Sequence, residues 1–350
     1  MKKVMCVVED VKSAQFRYRC ANVIEATKKN KKWDVEFVLR NKVAGINLSE
    51  IDLLVIERQT AKDNLLLDLI SEARRSGIKV LFDLDDLIFD YRDLLLLMRS
   101  TNSKNIFYWA GYFWGIRRIA KRVDGFLTTN DFLGGKLKRS FGKEYKVILN
   151  SLNDEQVEIS EECVKNKKQH EDFVIGYFSG SPTHAKDFRM VEPEIAKFLD
   201  EHEDAKLRVV GYMDFSEVMR NFIDKKRVEI LDLVDFRKLQ RLMAEVDVNI
   251  APLVINDFTN CKSELKFFEA AAVETTTIAS PTYTFKKAIF DGGNGFLAQQ
   301  GEWYSKLEYL YKNPEENKKI AKEAKKYALK HYYGKEFLQE VEEAYDYFTK

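Results

Sequence analysis

Two stretches place small residues and charge where an apolar run gives way to a helical pattern. In the first, the run 173–178 leads into Ser179-Gly180-Ser181-Pro182-Thr183-His184, and Ala185-Lys186-Asp187-Phe188 opens the helix. A small-residue loop there lets backbone N–H groups approach an anion, and the helix N-terminus adds partial positive charge. A phosphate or diphosphate is the expected guest. Gly180, Ser181 and Thr183 would cradle it, His184 would donate to a phosphate oxygen or a sugar, and Lys186 would supply a full charge. The alternative is an ordinary turn with Pro182 at a helix start. In the second stretch, Asn249 to Leu253 ends a strand, and the residues after Thr259 begin a helix that carries Lys262, Lys266 and Glu269. Leu265, Phe268 and Ala272 share one face, while Lys266 and Glu269 pair on another. A lysine beside a carboxylate suits a nucleoside diphosphate, with the cation on phosphate and the carboxylate on the ribose hydroxyls. The alternative is a solvated Lys-Glu surface pair.

Three further features precede these. Asp83-Leu84-Asp85-Asp86 follows a strand, and such paired carboxylates either chelate Mn²⁺ beside a diphosphate or, as Asp85 and Asp86, contact an acceptor or cap a helix. Arg17 and Arg19, just after the first strand, would meet an anionic acceptor or the donor phosphates, or lie as surface cations. The segment 106–123 carries Trp109, Tyr112, Phe113, Ile116, Ile119 and Val123 at helical spacing, which reads as core packing. Phe107 and Trp114 fall off that stripe, and Arg117, Arg118, Lys121 and Arg122 follow. That makeup suits a helix lying on an anionic membrane surface, so 104–122 is a candidate for peripheral membrane contact.

The elements that must hold these residues are legible as an alternation. Short β-branched runs at 4–8, 35–39, 53–56, 80–82, 126–128 and 147–149 are separated by helical patterns, and the polar stretch 150–172 reads as a linker. Runs at 174–178, 207–210, 228–231, 248–251 and 276–279 form a second series, and 314–350 reads as helices. The expected fold is α/β, with two Rossmann-like domains at 1–155 and 156–334 and a terminal helix, 335–350, returning to the first. The chain has 350 residues, 45% hydrophobic and 32% charged, the profile of a globular protein. Its 57 basic and 56 acidic residues nearly cancel, which argues against nucleic acid as a partner. Cys6, Cys20, Cys163 and Cys261 lack metal-ligand spacing, and no signal peptide follows Met1-Lys2-Lys3, so a reducing, cytoplasmic setting is expected. No apolar run is long enough to span a bilayer.

The order of these pieces is specific. Ile175 to His184, Lys262 to Glu269 and Asp291-Gly292-Gly293-Asn294-Gly295-Phe296-Leu297 resemble the donor domain of the large retaining group of bacterial glycosyltransferases with the GT-B fold. Gln15 to Arg19, Phe82 to Asp90 and Asp124 to Asn130 resemble the first domain of that group, so the resemblance spans nearly the whole chain. It implies two Rossmann-like domains facing a central cleft. It also implies retaining, metal-independent transfer from a nucleotide-diphosphate sugar to an acceptor hydroxyl, with no cofactor. The acceptor would be a glycan, a glycoprotein or a lipid-linked molecule, at the inner face of the membrane. Lys266 and Lys186 take the catalytic role of stabilising the leaving diphosphate. Gly180, Ser181, Thr183, His184, Lys262 and Glu269 bind the donor, and Arg17, Arg19, Asp85 and Asp86 the acceptor. Glu269 matches the second acid of the group's Glu-x7-Glu motif. Cys261 stands at the first, and Glu274 and Thr276 stand where relatives usually carry Gly and Pro. These departures motivate an alternative: a catalytically silent subunit that binds a partner transferase or a glycan.

Overall fold

The structure is a computed structural model that describes residues 1–167, 171–180 and 185–350. The chain divides into two compact units. The first comprises 1–153, 260–263 and 331–350, and the second 154–259 and 264–330. Each is built on a six-stranded sheet whose paired strands all run parallel.

In the first unit the strands are β1 (Lys2–Val8), β2 (Trp33–Leu39), β3 (Leu53–Glu57), β4 (Lys79–Leu84), β5 (Gly125–Thr128) and β6 (Tyr145–Val147). They lie in the order β2-β1-β3-β4-β5-β6, so the chain reverses its direction of travel between β1 and β3. Open parallel sheets bind ligands at the carboxyl edge beside such a reversal. Central strands are buried on both faces, hence the unbroken apolar runs of β3 and β4. The terminal helix Gly334–Thr349 packs Phe337, Val341, Tyr345 and Phe348 into the same core as Val4, Cys6, Trp33 and Leu53. Gly125 makes that docking possible, since a Cβ there would lie 2.2 Å from the Phe348 ring.

In the second unit the strands are β7 (Phe173–Ser179), β8 (Ala205–Gly211), β9 (Val228–Leu231), β10 (Val248–Ala251), β11 (Thr276–Ala279) and β12 (Phe296–Leu297). Their order is β12-β11-β10-β7-β8-β9. Numbered from β7, that is the 3-2-1-4-5-6 arrangement of dinucleotide-binding folds, with its reversal between β7 and β10. Gly211 closes the β7–β8 edge: its φ is +100°, and the Ser179 carbonyl oxygen lies 1.9 Å from where a Cβ would sit.

Two expectations are corrected. The second sheet holds β12, only two residues long and without the length or alternation that marks a strand in sequence. Part of the expected linker is the helix Asp154–Lys165, whose inner face is Gln156, Ile159 and Ser160. That face binds largely through hydrogen bonds, so it left no apolar periodicity to read.

Candidate functional site

At the carboxyl edge of the first sheet the chain leaves β1 through Ser13, whose hydroxyl caps a short helix by accepting from Phe16 N at 3.0 Å. A π-helical turn, Arg17–Ala21, follows. Such turns add a residue per turn and re-aim side chains, often at functional sites. Here Tyr18, Arg19 and Cys20 are buried, while Arg17 stays half-exposed, lying over the Tyr18 ring and donating to its hydroxyl at 2.6 Å. The Arg19 guanidinium donates to both carboxylate oxygens of Asp83, from Nε at 3.0 Å and from Nη2 at 3.0 Å. It also donates to the Ile148 carbonyl and to Asn150 Oδ1. Arg19 is thus committed inside the unit and positions Asp83.

Beside this pair stands a second one. Arg58 Nη1, just past β3, lies 3.0 Å from Asp85 Oδ1 and 2.6 Å from Asp86 Oδ2. Lys262, in the segment counted with the first unit, places Nζ 3.8 Å from Asp86 Oδ1. Glu57, the last residue of β3, faces Asp83 in register and has one oxygen without a hydrogen bond among the described residues. Burial first, then the Asp83 and Asp85 charges, push its carboxyl up to about 8. Burial raises Asp83 and Asp85 as well, opposed chiefly by Arg19 and Arg58 respectively. Tyr112 lies in the same field, its hydroxyl pushed up to about 12 by burial. Arg17, Arg19, Asp85 and Asp86 therefore share one sheet edge. Arg58 and Glu57 were not singled out in the sequence, where the only signal was a charged Glu57-Arg58 step closing an apolar strand, and Tyr112 was read there as core packing. Cys261 is fully buried in this unit, its carbonyl accepting from Asn130 Nδ2 at 2.8 Å.

In the second unit the helix Leu265–Ala272 is buried on nearly every side, which corrects the amphipathic picture and removes the solvated-pair alternative. Lys266 is half-buried, with Nζ 4.9 Å from the ring centroid of Tyr177 on β7. Asn249 of β10 fixes the helix start, donating from Nδ2 to the Lys266 carbonyl and to Thr277 Oγ1, both at 3.0 Å. Glu269, 2% exposed, turns to the neighbouring helices. Its Oε1 accepts from Gln156 Nε2 at 3.1 Å, and its carbonyl from Gln240 Nε2 at 2.8 Å.

Gly180 sits at the end of β7 in open space, where a Cβ would meet nothing within 4 Å. Lys186 is exposed on the next helix, Ala185–Arg189. Ser181, Thr183 and His184 lie outside the described residues. Gly180 and Lys266 thus fall on the edge beside the β7–β10 reversal, while Glu269 engages the other flank of its helix. Among the described residues no group of three His, Cys, Asp or Glu is arranged to hold a metal ion, and no helix is long and apolar enough to cross a membrane.

The comparisons agree with this architecture. Residues 172–313 match the family model of the glycosyl transferases group 1. No curated protein sequence matches the chain. Among solved structures, Anabaena HepE, crystallised with UDP and glucose, is similar over 99% of this chain and 100% of its own, with a TM-score of 0.66 at 15% identity. Sucrose-phosphate synthase from Thermosynechococcus elongatus is similar over 99% of each chain, with a TM-score of 0.69 at 12% identity. A glycosyltransferase from Rickettsia africae covers 100% of this chain and 99% of its own, with a TM-score of 0.68 at 13% identity. Residues 172–313, which make up most of the second unit, are thus similar to the glycosyl transferases group 1, and the two Rossmann-like sheets give the chain the fold of these glycosyltransferases.

Proposed function

We propose that the chain moves a sugar from a nucleotide-diphosphate sugar, a UDP-sugar foremost, to an acceptor hydroxyl, with retention and without a metal ion, in building bacterial glycans or glycoconjugates. The observation that carries this reading is the placement of Lys266. It leaves the helix after β10 and reaches over Tyr177 of β7, beside the point where the strand order reverses. A cation held there, next to the open backbone at Gly180, meets a diphosphate and offsets the charge that builds as it departs. Lys186 and Lys262 add charge, and Ser181, Thr183 and His184 complete the phosphate side, while Glu269, expected to take the ribose hydroxyls, is buried against Gln156 and serves to position its helix. On the acceptor side Arg17, Asp85 and Asp86 take hydroxyls, with Arg19 acting through Asp83. The acceptor is a glycan, a glycoprotein or a lipid-linked molecule presented at the inner membrane face, where 104–122 is the stretch suited to contact.

Charge supports the metal-free part: Asp83 and Asp85 each already face an arginine, so the pair offers a divalent cation little net negative charge. The structures of HepE with UDP-glucose and with UDP support the choice of nucleotide. The test is release of free nucleoside diphosphate from UDP-, GDP- and TDP-sugars, with and without acceptor and EDTA. Turnover that persists in EDTA is expected; loss of all activity there returns Asp83 and Asp85 to a Mn²⁺ role. A second reading, the catalytically silent subunit, is favoured by Cys261, which puts a buried thiol where relatives carry an acid. No turnover with any donor, joined to no nucleotide binding, would establish it instead.

A further inference from the structure

The helix Ile106–Ala120 buries Phe113, Ile116, Ile119 and Ala120 in the first unit. Its outer side is not polar. Phe107, Gly111 and Trp114 form a ridge at i, i+4, i+7, with Phe107 87% and Trp114 54% exposed. Ile106 and Tyr108 flank it, and Leu95 on the neighbouring helix Leu94–Ser100 is 59% exposed. An apolar patch of this kind is a docking surface by its energetics, because its rings gain by leaving water.

Charge decides what covers it. Between Asp93 and Asp124 the sequence contains no Asp or Glu, yet it carries Arg99, Lys104, Arg117, Arg118, Lys121 and Arg122. Arg117 donates inward to the Phe89 carbonyl, and Arg118 lies over the Trp114 ring at 4.6 Å while donating to the Ala61 carbonyl. Arg99, Lys104, Lys121 and Arg122 are exposed around the ridge. A second copy of the chain docked face to face would bring these cations against their own kind, with no acid in 94–123 to pair them. A bilayer with anionic headgroups satisfies both halves: phosphates take the cations, and the projecting rings enter the acyl boundary.

We propose that this face seats the chain on an anionic bilayer. This deepens the reading of a membrane-presented acceptor, on which it rests for its purpose, while its test reads lipid capture directly. The full chain is floated with phosphatidylcholine vesicles and with phosphatidylcholine–phosphatidylglycerol vesicles, at low and high salt. Capture by the mixed vesicles is expected, weakening as salt rises. The Phe107→Glu/Trp114→Glu variant is expected to bind at least about tenfold more weakly, and Lys104→Gln/Lys121→Gln/Arg122→Gln to lose most of the salt dependence. UDP affinity, measured on the same proteins by calorimetry, should not change, which reports an intact fold and separates this proposal from the donor reading. No capture by mixed vesicles, or equal capture of wild type and the Phe107→Glu/Trp114→Glu variant, overturns it. So does self-association that this variant abolishes without any vesicle capture, which would assign the face to a second copy.

Discussion

At the carboxyl edge of the first sheet four carboxylates, Glu57, Asp83, Asp85 and Asp86, crowd against two arginines, Arg19 and Arg58. At the same edge of the second sheet Lys266 stands above Tyr177 and Gly180 lies at the strand end, with the buried hydroxyls of Ser280 and Thr282 and two buried carboxylates, Asp187 and Glu264. Both edges lie beside a reversal of strand order, so the architecture sets where ligands go and the side chains set which ones. Carboxylates tied to arginines present oriented acceptors to hydroxyls. Hydroxyls and a lysine beside open backbone suit a phosphate.

The largest break in this comparison should come from Arg19→Ala. It leaves Asp83 buried without its bidentate partner, and removing one member of a buried ion pair costs roughly 3–5 kcal/mol. Trp33, Trp109 and Trp114 lie in the first unit, so urea unfolding followed by tryptophan fluorescence reports mainly on it. UDP affinity should hold at low urea, because the loss is confined to the first edge. A change under 1 kcal/mol (of the order expected for a surface pair) would mean the clamp carries little.

Glu57→Gln tests the same cluster through pH. The folded carboxyl titrates at about 8, above its ordinary 4.5. Below about pH 4.5 both folded and unfolded chains hold the proton, and Glu57 carries no penalty. As pH rises, the unfolded chain ionises first, so the native state loses stability until about pH 8 and no more beyond it. Glu57→Gln should match wild type near pH 4.5 and exceed it by about 2–4 kcal/mol near pH 8. A pH-independent difference would show that Glu57 is not held protonated.

On the second edge, Lys266→Ala should weaken UDP binding about 10–100-fold, the worth of a charge-assisted contact to phosphate, and leave stability nearly unchanged. Calorimetry giving wild-type affinity would detach Lys266 from the diphosphate.

How much of this was legible follows from the same contrast. Each half of the second edge has a local signal, a strand running into a small-residue loop in one and a strand followed by a lysine-bearing helix in the other, but their junction is made by the β7–β10 pairing. The first edge could be read only in part. Asp83, Asp85 and Asp86 announce themselves as a motif, but Glu57 and Arg58 join them through the β3–β4 pairing, and a sequence does not display strand neighbours. Arg19 was noticed, but its direction was set by a π-helical turn that no local pattern marked. The helix Asp154–Lys165 passed for a linker because Gln156 and Ser160 bind Gln240 and Glu269 by hydrogen bonds, where periodicity arguments expect apolar side chains.

The smallest effect concerns Glu274, at the position where the resembled group usually carries glycine. Its φ of +52° keeps the left-handed backbone that glycine would adopt freely. A side chain there costs roughly 1–2 kcal/mol, partly offset by the ion pair to Lys325 at 3.4 Å, worth at most about 1 kcal/mol at a partly exposed site. Glu274→Gly releases the strain but orders a freer residue, so a net gain of about 0.5 kcal/mol is expected. Glu274→Ala keeps the strain and loses the ion pair, and should fall below wild type. Two residues on, Thr276 is buried and donates to the Asn317 carbonyl at 3.1 Å, filling structurally the place where relatives carry proline. Glu274 thus belongs to the turn between the helix Leu265–Ala272 and β11, Thr276 opens β11, and neither should alter UDP affinity. If Glu274→Ala proved as stable as Glu274→Gly, the turn would not explain the residue. If Glu274→Gly changed nucleotide binding severalfold, the second edge would extend to this turn, and the contrast between the two sheets would have to be redrawn around it.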